Sequence, residues 1–178
     1  MTGTPRKHPR GFTLVEILVV VVILGLASAM IIPQIGSRDD LKVAAAARLI
    51  IADLTYAQNR AIATQAMQYV AFDTGSTPQT YAIRNSTTSS DYVTDPITHG
   101  NFIRTISTGG TPGLADVTID VAGTGFDTLQ TLAFDSLGQP YAVGASTDVM
   151  NVGAIKLTCG QQSLTITIEP YTGEMSVQ

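Results

Sequence analysis

The chain holds a single cysteine, Cys159, so no intrachain disulfide can form. Its setting, "IKLTCGQ", reads as the end of a strand, and a buried inert thiol fits it best. Histidine is nearly as scarce. His8 sits in a polar basic stretch and His99 in a polar loop, so neither serves Cys159 as a base and no His pair exists for a metal. There is no Gly-x-Ser-x-Gly and no phosphate-binding loop, so nothing points to catalysis. Charged residues make up only 13% of the chain, and no acid precedes Glu16. Leaving out the first eleven residues, 7 basic face 14 acidic residues, a net charge of −7. Such a body repels phosphate backbones, which argues against a nucleic-acid partner.

What is abundant is apolar sequence, 44% of residues, and much of it lies in one run. Residues 1–10, "MTGTPRKHPR", are basic and Pro-containing. From Leu14 to Ile35 the chain is almost wholly apolar, interrupted mainly by Glu16 and Pro33. About 22 residues of helix rise roughly 30 Å, the thickness of a bilayer's hydrocarbon core. The basic flank would stay cytoplasmic and send the body outward. A secretory signal peptide is one reading, with "ASA" at Ala27 to Ala29 as its cleavage site. A plain signal anchor is another. Neither gives a reason for a carboxylate at position 16, which costs several kcal/mol in lipid.

"RGFTLVEILVVVVILGLASAMIIP" resembles the leader junction of type IV pilins and type II secretion pseudopilins. The resemblance implies a prepilin peptidase that cuts between Gly11 and Phe12 and methylates the new N-terminal Phe12. Glu16 becomes the fifth residue of the mature chain, and Gly25 and Pro33 fall where the family loosens its helix. Cleavage would create an α-amino cation at Phe12. Paired with Glu16 of a neighbouring subunit, it offsets both burial costs and sets the register of staggered helices. Glu16 is then a subunit-docking group. The implied partners are other pilins or pseudopilins, the peptidase/methyltransferase and the inner membrane, with no cofactor.

The organisation expected is a leader at 1–11, a transmembrane and filament-core helix at 12–35, and a periplasmic domain at 36–178. Pro33 should kink the chain, and Ser37 or Asp39 can cap the next helix. The helical pattern resumes over 41–67. Val43, Ala47, Ile50, Leu54, Ala57 and Ala61 form an apolar stripe flanked by Lys42, Asp53 and Arg60. A weaker stripe runs Leu41, Ala45, Leu49, Ala52, Tyr56, Ala63 and fits either a wide core face or filament neighbours.

Eight strands are expected, at 69–73, 80–84, 102–107, 116–121, 131–135, 154–158, 163–169 and 174–177, with turns at 138–140 and 171–173. One long helix before many short strands predicts an α+β fold, the helix lying on antiparallel sheet. Residues 85–100 read as a solvated polar loop. Its Asp91 and Asp95 lack the dense ligand spacing of a calcium loop, and "NST" at 85–87 is a weak glycosylation signal. "RLIIADLTYAQNRAIATQ", "LAFDSLGQPYAV" and "SLTITIEPYTGEMSV" are similar to the H-type minor pseudopilins, a group that includes FimT-like minor pilins. The last turn, "YTGEMSVQ", is acidic where a DNA-uptake pilin would be basic. The function this implies is a minor pseudopilin of the type II secretion pseudopilus, with a FimT-like minor pilin as the alternative.

Overall fold

A computed structural model describes residues 11–31, 38–106, 110–111, 113–121, 126, 129–144, 147–150 and 153–178. The chain divides into two compact units, residues 1–38 and residues 39–178. Helix α1 (Leu14–Ile31) belongs to the first. Among the described residues, the second contains α2 (Asp39–Thr64) and ten strands.

The expected stripe on α2 is its core face. Val43, Ala47, Ile50, Leu54, Ala57 and Ala61 are all buried, and Ala46 joins them. The second stripe divides. Leu49 and Tyr56 pack on the rim of the core, whereas Leu41, Ala45, Ala52 and Ala63 stay exposed. Asp39 and Asp40 occupy the first turn, where carboxylates complement the helix dipole. The helix ends three residues before the expected Met67. Gln65 adopts φ 53°, the Ala66 N–H reaches back to the Ala61 carbonyl at 3.3 Å, and Gln65 Nε2 donates to the Ile62 carbonyl at 2.7 Å. This is a left-handed cap built without glycine.

Six strands form one antiparallel sheet in the order β3-β2-β1-β5-β6-β7: β1 (Gln68–Asp73), β2 (Gln79–Arg84), β3 (Ile103–Ile106), β5 (Thr131–Phe134), β6 (Pro140–Val143) and β7 (Thr147–Val149). Four more, in the order β10-β9-β8-β4, form a second sheet: β4 (Thr118–Asp120), β8 (Gly153–Cys159), β9 (Gln162–Ile168) and β10 (Met175–Val177). Every pairing within them is antiparallel. Helix α2 packs on both sheets, against β8 and β9 and against β1 and β5. Val70, Phe72, Ile83, Leu132 and Phe134 from one sheet and Ile155, Leu157, Ile166 and Ile168 from the other fill one buried cluster with α2. The fold is α+β, as the sequence predicts.

All eight expected strands are present with ends shifted by a few residues; two more, β6 and β7, were not foreseen. The sequence places Pro140 in a turn. The turn is real, since Asp135 Oδ1 accepts the Leu137 and Gln139 N–H groups, both at 2.8 Å. Pro140 nevertheless opens β6 opposite Phe134, a first position where its missing N–H is tolerated.

Residues 85–100 are largely the exposed polar loop expected, pinned at a few points: Arg84 bridges to Tyr92, Thr94 bridges to Asn101, and Val93 is fully buried.

Candidate functional site: the N-terminal segment

Gly11, Phe12 and Thr13 precede α1 outside any helix or strand and are exposed, and a Cβ on Gly11 would meet nothing within 4 Å. The proposed scissile bond is therefore open to a protease. Thr13 caps the helix. Its Oγ1 accepts the Glu16 N–H at 3.2 Å, and its carbonyl accepts the Ile17 N–H at 3.2 Å. Thr-x-x-Glu at 13–16 is a capping-box spacing, a local signal that the sequence reading passed over. Glu16 also lies in the first turn, where a carboxylate favours the helix. It thus has a local role before any neighbour is considered, and its side chain remains exposed.

Beyond Glu16 the helix is apolar on every side. Phe12, Leu14, Val15, Ile17, Leu18, Val21, Leu24 and Leu26 are all more than half exposed. A helix of this kind needs an apolar surrounding supplied by lipid or by other helices. Among the described residues no helix is long and apolar enough to cross a membrane. The 18 residues of α1 rise only about 27 Å. The segment expected to complete the span, including Pro33, lies outside the described residues. Helix α1 continues through Gly25, where an added Cβ would meet nothing within 4 Å. Ser28 Oγ donates to the Leu24 carbonyl at 2.7 Å, a back-bond that bends helices.

The other residues singled out in the sequence are placed by the second unit. Cys159 is buried, its Sγ 3.5 Å from Asp39 Oδ1, and burial together with that carboxylate pushes the thiol's pKa up. An inert thiol results.

Asp53, expected on the flank of α2, faces inward at 8% exposure. Its Oδ2 accepts the Tyr81 hydroxyl at 2.6 Å and Arg104 Nε at 3.1 Å. Arg104 Nη1 donates to Asp95 Oδ2 at 2.5 Å, and Asp95 Oδ1 accepts the Ile97 N–H at 2.8 Å. The Arg104 guanidinium lies over the Phe102 ring, 4.3 Å from its centroid, and that ring stacks on Tyr56 at 5.4 Å. Helix α2, β2, β3 and the 85–100 segment are thereby joined through one part-buried cation between two carboxylates. Burial raises the Asp53 pKa, with Tyr81 and Arg104 opposing. Burial pushes Asp95 the same way, but the Ile97 N–H and Arg104 outweigh it and hold the carboxyl down at about 2. Asp95 is therefore committed to Arg104 and not to a cation from solution. No sequence signal pairs residues this far apart.

A family model described as the prokaryotic N-terminal methylation motif matches residues 6–32. Type II secretion system core protein G of Pseudomonas aeruginosa strain PAO1 is 57% identical over 35 residues, which are 20% of this chain and 25% of that protein. The chain thus matches only a quarter of that relative's length. Two crystal forms of the type IV minor pilin FimU from the same strain are similar in structure at 14% identity. They cover 78% and 75% of this chain and 90% of FimU, with TM-scores of 0.49 and 0.46.

Proposed function

We propose that this chain, which carries the prepilin-type methylation motif of type IV pilins and type II secretion pseudopilins, is a filament subunit: a minor pseudopilin of a type II secretion system. In this role it supports export of folded proteins across an outer membrane. The observation that carries the reading is α1, apolar on all sides, exposed, and interrupted by one carboxylate at the fifth residue after an exposed Gly11-Phe12 bond. A peptidase cuts that bond, Phe12 is N-methylated, and residues 12–35 anchor the chain in the inner membrane with 36–178 in the periplasm. During assembly the Phe12 ammonium of one subunit pairs with Glu16 of the next inside the helix bundle. The short match to a type II secretion core protein and the acidic body both favour secretion over DNA uptake.

Two measurements on protein from its native host test this. Intact mass and N-terminal sequencing should find N-methyl-Phe12 as the first residue, whereas a chain beginning at Met30 sinks the reading. Cross-linking should capture type II secretion pseudopilins. Capture of pilus subunits alone would move the protein to the alternative, a FimT-like minor pilin.

A further inference from the structure

The six-stranded sheet has an outer face, turned away from α2, that is not a plain solvated surface. Register places Ile103, Ala82, Ala71, Thr131 and Val143 side by side across five strands. Strand alternation points them opposite to the core residues Val70, Phe72, Tyr81 and Leu132. The middle of this row is small, so the larger side chains around it leave a groove of about 420 Å3, with Tyr69, Tyr92 and Leu129 among its walls. Ala82 and Thr131 in its floor are only 5% and 7% exposed, which makes this a recess and not a flat face. Its volume lies within the range of small-molecule sites.

Two ionic side chains line it, and they differ in one respect. Asp73 is satisfied locally: Ser76 donates its N–H to Oδ1 at 3.2 Å and its hydroxyl to Oδ2 at 2.6 Å. Arg84 is not. Among the described residues it forms no ion pair, and its buried Nε meets no acceptor. Its guanidinium carbon lies 5.4 Å from the Tyr92 ring centroid, a cation–π contact that uses none of its N–H donors. A planar guanidinium edge matches a carboxylate, both oxygens taken by parallel N–H groups.

We propose that this groove binds a small organic carboxylate with a flat apolar body. The carboxylate takes the Arg84 fork, and the body lies on Ala71 and Ala82 between the rings of Tyr69 and Tyr92. A bare phosphate would use the charge of Arg84 but none of the apolar floor. An ester of the same body would use the floor but not the fork.

The full-length chain in non-ionic detergent micelles, probed by saturation-transfer NMR with phenylacetate, tests this. Saturable binding in the millimolar range is expected, with neither the methyl ester nor inorganic phosphate competing. Arg84→Lys, which keeps charge but not the fork, should weaken binding about tenfold, and Arg84→Met more. Ala71→Phe should abolish binding by filling the floor without touching Arg84, while circular dichroism stays that of the wild type. No saturable binding, equal competition by the ester or by phosphate, or binding indifferent to both Arg84 variants would overturn the proposal. If a variant fails to fold, the wild-type comparison of acid with ester decides.

Discussion

Gln58 Nε2 donates to the Gly138 carbonyl at 2.9 Å, tying α2 to the β5–β6 turn. The same amide donates to the Thr172 carbonyl at 3.0 Å, so the β9–β10 turn of the other sheet is held from the same point. The two turn glycines of the C-terminal motifs meet here. Gly173 has φ 65°, and a Cβ on it would stand 2.5 Å from Gln58 Nε2 and 2.9 Å from the Gly138 oxygen. Gly173→Ala should therefore lose more than the roughly 1 kcal/mol of a left-handed backbone penalty, because the carbonyl cannot give way as a flexible side chain can. Gln58→Ala should cost about 1–2 kcal/mol by stranding two carbonyls that lie partly in contact with water. Thermal melts of both variants check this; a Gly173→Ala melt equal to wild type refutes the close packing.

Arg104, set between Asp53 and Asp95, offers a graded test. Tyr81→Phe removes one hydrogen bond to Asp53 but leaves the ion pair, and should cost about 1–2 kcal/mol. Arg104→Met strands two carboxylates whose side chains are 11% and 1% exposed, and should cost about 3–5 kcal/mol. Denaturant unfolding ranks the two. A smaller loss from Arg104→Met than from Tyr81→Phe would mean the guanidinium is not what holds α2 to β3.

The two carboxylates respond to pH in opposite directions. The Asp95 pKa is depressed in the folded chain to about 2, so its stabilisation is complete above its unfolded value and disappears as pH falls from about 4 to 2. The Asp53 pKa is raised by burial, so its contribution is complete below the unfolded value and declines as pH rises through the folded one. Between pH 4 and 2 the slope therefore belongs to Asp95. The gap in melting temperature between wild type and Asp95→Asn should close over that interval. A gap that stays constant would show Asp95 to be less strongly paired than its geometry implies.

Glu16 has a local role in the cap and a proposed one in docking, and substitution can part them. The capping bond uses its backbone N–H and the Thr13 hydroxyl, so Glu16→Gln and Glu16→Ala both retain the start of α1. Thr13→Val loses it, at about 1 kcal/mol. If the carboxylate docks a neighbour's ammonium, Glu16→Gln should still insert and be cleaved at Gly11, yet fail to co-purify with other filament subunits. Incorporation of Glu16→Ala at the wild-type level would leave the cap as the residue's main role.

Replacing Gly11 by Leu should block processing, since the peptidase must grasp the backbone just before the scissile bond. Accumulation of the uncut chain, seen as a mass about one leader heavier, is the expected result; normal trimming would move the cut elsewhere.

The α2 core stripe and eight of the ten strands were legible in sequence because both depend on local period. Every residue of the Val43-to-Ala61 stripe is buried as its 3.6-residue spacing requires. The Thr13-Glu16 cap is equally local and was there to be read. Strand β6 was not, since Pro140 imitates a turn at its start, and β7, which pairs with β6, was lost with it. Tertiary structure alone decided the fate of the polar residues. Asp53 reads as a flank of α2 until Tyr81 and Arg104, 28 and 51 positions away, supply the hydrogen bonds that make its burial affordable. Asp95 reads as a loop acid until β3 delivers Arg104 to it. Apolar burial follows from a residue's own spacing along the chain, whereas polar burial depends on which partner the folded sheets bring within hydrogen-bond reach.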